Sequence, residues 1–136
     1  IDSAQKAMEV LSKTQADGLM IGRGVFGRPW IFREIYAMIT EGKELKPVAL
    51  SEIHAILISH LQAIYEFYGE RQGVRIARKH IGWYIERSSN SNRAAACNEI
   101  YRTDFAARQL QLVDDLFNQL EDENGSNWND PKRKDG

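Results

Sequence analysis

Two clusters in the sequence carry residue types whose spacing allows chemistry. The first is Gly22-Arg23-Gly24, which directly follows the apolar run Asp17-Gly18-Leu19-Met20-Ile21. Glycines let a backbone approach an anion closely, amides at the start of a following helix donate to phosphate oxygens, and Arg23 adds positive charge. A Gly-rich turn after a buried strand is also a simple tight connection, so the tripeptide alone leaves both readings open. The second cluster is Arg75, Arg78-Lys79-His80 and Trp83-Tyr84. It lies in a strongly basic block: Arg71 to Arg108 holds 8 basic and 3 acidic residues, although the whole chain has a net charge of only −1. Cations neutralise a phosphate backbone and aromatic or guanidinium planes stack on bases, so the block suits a phosphate-rich partner. A solvated helical face and aromatic packing between helices are the competing readings.

Other chemistry is poorly provided for. His54 and His60 are six apart and do not share a helix face, which argues against a two-His metal site. Cys97 sits among small residues in Ala94-Ala95-Ala96-Cys97 and reads as a buried, inert thiol; as the single cysteine it cannot form an internal disulfide, which fits a reducing cytoplasm. No nucleophile-base arrangement and no pair of carboxylates stands out, so no catalytic residue and no metal ligand is expected in this chain. No apolar run reaches the roughly 18 to 20 residues of a membrane span, and Ile1-Asp2-Ser3 does not open a leader peptide. With 43% hydrophobic and 10% aromatic residues the chain is globular, and its start without Met suggests a fragment.

The elements that must position these clusters follow from periodicity. Ser3 caps a helix through Ala4, Ala7, Met8 and Leu11 that stops near Gln15; Asp17 to Gly22 reads as a buried strand; Pro29 precedes a helix over Trp30 to Ile39 that Gly42 ends. Pro47 bars further helix, and the domain boundary is placed there. Beyond it Ser51 caps a helix to about Tyr68, ended by Gly69, and a second runs from about Gly73 to Arg87. Val74, Ala77, Ile81, Tyr84 and Ile85 form the core face of that second helix. Ser88 to Asn92 is a loop, Arg93 to Tyr101 a short helix, and Asp104 to Glu121 a long one with Phe105, Leu110, Val113, Leu116, Phe117 and Leu120 apolar. Glu123 to Gly136 reads as a disordered tail.

Taken together, Asp17 to Gly24 followed by Gly27-Arg28-Pro29-Trp30-Ile31-Phe32 resembles the last barrel strand and following segment of the bacterial tRNA-dihydrouridine synthases, closest to the B-type, nitrogen-regulation-like branch. Arg75, Arg78-Lys79-His80 and Trp83-Tyr84 resemble that family's C-terminal signature, and the resemblance covers about Ile1 to Glu121. It implies a mainly α chain: residues 1–46 as the C-terminal remnant of an FMN-binding (β/α)8 TIM barrel (helix, one strand, helix), and residues 47–122 as an all-α helical bundle that binds tRNA. It further implies a cytoplasmic oxidoreductase in which NADPH reduces FMN and the flavin passes hydride to a tRNA uridine. Gly22, Arg23 and Gly24 then contact the FMN phosphate, and Arg75, Arg78, Lys79, His80 and Trp83 contact RNA. The six preceding strand–helix units, with the family's cysteine acid, flavin-contacting lysine and Asn-Gly-Asp loop, have no counterpart here, and Arg28 replaces a frequent Asn. The expectation is therefore a fragment that binds tRNA without catalysing, with self-association through its exposed barrel remnant. The alternative is a piece of another FMN barrel oxidoreductase whose helical part is a protein-interaction or stability module.

Overall fold

The computed structural model describes residues 1–87 and 94–124. Helices dominate it: α1 (Ala4–Thr14), a 3-10 turn (Arg23–Val25), α2 (Ile31–Glu41), α3 (Leu50–Glu86), α4 (Ala94–Arg102) and α5 (Ala106–Asn124). The chain divides into two compact units, Ile1–Lys46 and Pro47–Gly136.

In the first unit α1 starts where Ser3 Oγ accepts the Lys6 N–H at 3.0 Å and ends at Gln15, whose left-handed backbone (φ 54°) returns its N–H to Leu11. Gly42 closes α2 in the same way, at φ 64°, with its N–H on the Met38 carbonyl at 3.0 Å. The two helices bury Ala4, Ala7, Ile31 and Ile35 against each other, and Leu19, Ile21, Val25 and Met38 pack onto that cluster.

The expected strand over Asp17–Gly22 does not form. Leu19 and Ile21 turn toward the α1–α2 core while Met20 is 90% exposed, so the side chains alternate as in a strand. A strand also needs neighbours for its N–H and C=O groups, and the described residues supply no second extended segment to pair with it. The alternation is set locally, whereas a ladder needs a partner strand.

In the second unit α3 is a hairpin rather than a rod. Gly69 takes φ 78°, ψ 173°, a conformation outside the helical region and open essentially to glycine alone. The arms at 50–68 and 70–86 fold back on each other: a Cβ on Gly73 would stand 3.1 Å from Tyr65 Cα, and the rings of His60 and His80 lie 4.6 Å apart. Helical structure resumes directly after Gly69, not at Gly73. The start of α3 also differs from expectation, because Ser51 is not its cap. Ala49 holds that place without a side-chain bond, since burial of Val48 and Leu50 sets where the helix begins.

The core face of the second arm is as read from periodicity: Val74, Ala77, Ile81 and Tyr84 are buried and Ile85 is half-buried. Gln109 on α5 is the hub. Its carbonyl accepts the Tyr65 hydroxyl, and its amide reaches the carbonyls of Val74 (3.3 Å) and Ile100 (3.4 Å), so one fully buried side chain links both arms of α3 with α4 and α5. His54 makes a second link: its ring stacks on Phe117 and its nitrogens meet Glu121 at 2.8 Å and Asp114 at 2.7 Å.

Two boundary expectations shift. Asp104 and Phe105 lie before α5 in the connector from α4, and Phe105, expected on an apolar helix face, is 67% exposed. The helix continues through Glu123 to Asn124, past the point where the tail was expected to start. The loop at Ser88–Asn92 and the tail beyond Asn124 lie outside the described residues.

Candidate functional site

Gly22, Arg23 and Gly24 lead into and build the 3-10 turn of the first unit. Space at the two glycines differs. Nothing lies within 4 Å of a Cβ built on Gly22, whereas one on Gly24 would stand 2.1 Å from the Ile1 carbonyl oxygen. Gly24 is thus required by the N-terminal segment crossing it, and Gly22 keeps an open backbone face. Arg23 is exposed, and no described side chain pairs with its guanidinium. Arg28 differs: it donates to the Asp2 carbonyl at 2.9 Å and to both Glu34 oxygens at 2.9 and 3.1 Å, pinning the turn between the start of α1 and α2. An open backbone face at Gly22 beside the exposed Arg23 guanidinium leaves room and positive charge for a phosphate group.

The five RNA candidates sit on the second arm of α3, and the structure does not treat them alike. Arg75 and Lys79, four apart and therefore adjacent on the helix surface, are exposed with no described side chain pairing with either. Arg78 is used internally. It donates to the Thr103 carbonyl at 2.9 Å and to Asp104 at 3.1 Å, fastening the arm to the α4–α5 connector, and its buried Nε has no hydrogen-bond partner among the described residues.

His80 faces inward. Its ring meets His60 edge-on, and Trp83 packs against it at 5.0 Å and 89°. Burial pushes the His80 imidazole below its ordinary pKa, and the neighbouring His60 adds to that; burial alone lowers His60. Tyr84 closes the cluster with its hydroxyl 3.4 Å from His60 Nδ1, and burial pushes its phenol up. The four rings pack as one cluster in which Tyr84 is buried and His60, His80 and Trp83 are half-buried.

Sequence reasoning did not single out the groups around the hairpin tip. Tyr68, Arg71 and Arg75 line a depression there, and Arg71, Arg75, Arg78 and Phe105 line a second, of about 620 Å³. The signal was present in Phe67-Tyr68-Gly69, two aromatics against the turn glycine, but only the hairpin shows that both rings are exposed. Among the described residues no group of three or more His, Cys, Asp or Glu could hold a metal ion, and no helix is long and apolar enough to cross a membrane. Cys97 is buried and unbridged.

The described residues thus make a mainly α protein, with exposed Arg75 and Lys79 on a helical arm of one unit and a glycine turn with an open backbone face at Gly22 in the other. Residues 1–121 match the family model described as dihydrouridine synthase (Dus). Among curated proteins the chain is 44% identical over 120 residues to "tRNA-dihydrouridine synthase B" of Shewanella oneidensis, covering 88% of this chain and 36% of that protein. It is 45% identical over 120 residues to the protein of the same name from Xanthomonas axonopodis pv. citri, again 88% of this chain and 36% of the relative. With that of Pseudomonas syringae pv. tomato identity is 56% over 85 residues, 62% of this chain and 25% of the relative. The chain belongs to the dihydrouridine synthase family, with B-type relatives, and spans about a third of their length.

Proposed function

We propose that this chain supplies the tRNA-gripping part of a flavin-dependent tRNA-dihydrouridine synthase, which reduces a tRNA uridine to 5,6-dihydrouridine with NADPH by way of FMN, and that by itself it binds tRNA without catalysing. The observation that carries the reading is the pair of exposed, unpaired cations Arg75 and Lys79 on a helical arm of a chain in this family. Phosphate oxygens are the natural partners of such cations.

FMN, when bound, supplies the hydride chemistry. In this reading Gly22 and Arg23 hold its phosphate, through the open backbone face and the free guanidinium, while Gly24 keeps the turn in place. Residues 1–46 then belong with the barrel, residues 47–122 form the RNA-binding helical domain, and the protein works in the cytoplasm, where tRNA is modified. The first unit leaves Met20, Phe32 and Tyr36 exposed, an apolar surface that self-association would cover; sedimentation across a concentration range checks it.

The test is a titration of the chain into labelled, unmodified tRNA at two salt concentrations, with duplex DNA of equal charge as competitor. Binding that weakens steeply with salt and resists the DNA is expected. Absence of binding at low salt, or equal displacement by DNA, overturns the reading.

A further inference from the structure

The basic arm does not account for the tip of the α3 hairpin. Two depressions meet there and share Glu70, Arg71 and Arg75; one runs on to Tyr68, the other to Phe105. The two depressions together form a strip in which Tyr68 lines one, Phe105 lines the other, and Arg71 and Arg75 line both. Phe105 is 67% and Phe67 81% exposed, and Phe67 meets Tyr68 edge to face at 4.8 Å, bracing it.

The charge balance of the strip is lopsided for a specific reason. Both of its carboxylates have internal partners: Glu70 Oε1 accepts the Ala106 N–H at 2.9 Å, and Asp104 takes Arg78 at 3.1 Å. No described side chain pairs with Arg71 or Arg75, and the exposed Glu66 lies outside the residues that line either depression. Exposed rings alone would suit a protein partner. With three arginines to two carboxylates in the lining, and Arg71 and Arg75 paired by no described side chain, exposed rings beside them suit a polyanion whose bases are accessible, which a duplex interior is not.

We infer that the hairpin tip is a stacking platform for unpaired nucleotides of the RNA: Tyr68 and Phe105 each take a base face, and Arg71 and Arg75 take the phosphates between them. This rests on the tRNA reading above and deepens it, because it assigns single-stranded loops to the tip and leaves Lys79 to backbone contacts in any RNA form.

The experiment measures affinity of the full chain for unmodified tRNA and for a fully paired RNA of equal length, at several salt concentrations. Tyr68→Ala and Phe105→Ala are each expected to weaken tRNA binding about tenfold with an unchanged salt slope, and to leave the paired RNA unaffected, because stacking is not ionic. Phe105→Trp retains a ring and keeps wild-type affinity. Arg71→Gln weakens binding and lowers the slope by about 0.7, the share of one single-strand phosphate. Alanine variants that bind tRNA like the wild type, while Lys79→Glu does not, overturn the platform and leave the tRNA reading standing. A wild-type chain that binds no tRNA at low salt overturns both. Unchanged tRNA affinity with lost self-association in the alanine variants makes the tip an interface between copies, which also overturns the inference.

Discussion

Arg78 and Lys79 are neighbours in sequence with different work to do. Arg78 spends its guanidinium on the Thr103 carbonyl and Asp104, so Arg78→Glu would both reverse a charge and place a carboxylate beside Asp104. Such a variant is expected to lose stability as well as RNA affinity. Removing the hydrogen bonds of a charged group costs about 1.5–3 kcal/mol before any new repulsion is counted. Lys79→Glu and Arg75→Glu change exposed, unpaired side chains, so they are expected to weaken tRNA binding with an unaltered urea midpoint. Paired measurements of affinity and urea unfolding on the three variants check this; an unaltered midpoint in Arg78→Glu would show that the tether contributes nothing. The family resemblance put Arg75, Arg78, Lys79, His80 and Trp83 together as RNA candidates because it matches residue types along a motif and not their surroundings. What divides them is set by chain far away in sequence: Thr103 and Asp104 for Arg78, His60 for His80.

Elements were legible where their cause is local. The Ser3 cap, the Gly42 stop and the core face of the second α3 arm depend on periodicity and on residues within a turn or two, and all three stand where the sequence places them. Two elements depend on something more distant. The Asp17–Gly22 segment keeps the alternation of a strand without a ladder partner among the described residues, and Phe105 is exposed because it falls in the connector between α4 and α5 and not on the face of α5. The hairpin itself rests on glycines with separate roles, which gives a graded prediction. Gly69→Ala forces a side chain into φ 78°, ψ 173° with open space around it, so its cost is strain alone, about 1–3 kcal/mol. Gly73→Ala places a Cβ 3.1 Å from Tyr65 Cα and 3.3 Å from the Ile64 carbonyl oxygen, and two backbones must part. A Cβ on Gly82 would meet only the Tyr101 hydroxyl, at an ordinary 3.7 Å, in a helix interior. Gly82→Ala is therefore expected to gain up to about 1 kcal/mol from helix propensity. Urea unfolding of the three variants should show two losses and a gain; a loss at Gly82 equal to that at Gly73 would remove the close crossing as the explanation.

For the molecule as a whole, the near-neutral total hides a basic middle, and the histidine inside that block, His80, packs against His60 on the other arm of the hairpin. His60 and His80 have their pKa values lowered, chiefly by burial, from an ordinary 6.5. A lowered folded value means that the unfolded chain takes up these protons first as pH drops. Unfolding is then favoured progressively from about pH 6.5 downward, and the loss levels off once pH lies below both folded values. Stability should thus be full near pH 7.5 and fall through the mildly acid range. The groups facing the pair do not offset the effect, since Tyr84 meets His60 with an un-ionised hydroxyl and Trp83 meets His80 with a neutral ring. Thermal midpoints of the wild type and of His80→Gln between pH 7.5 and 5.5 test the argument. The variant has lost one of the two titrating rings and should show the shallower decline. Parallel curves would assign the acid sensitivity elsewhere.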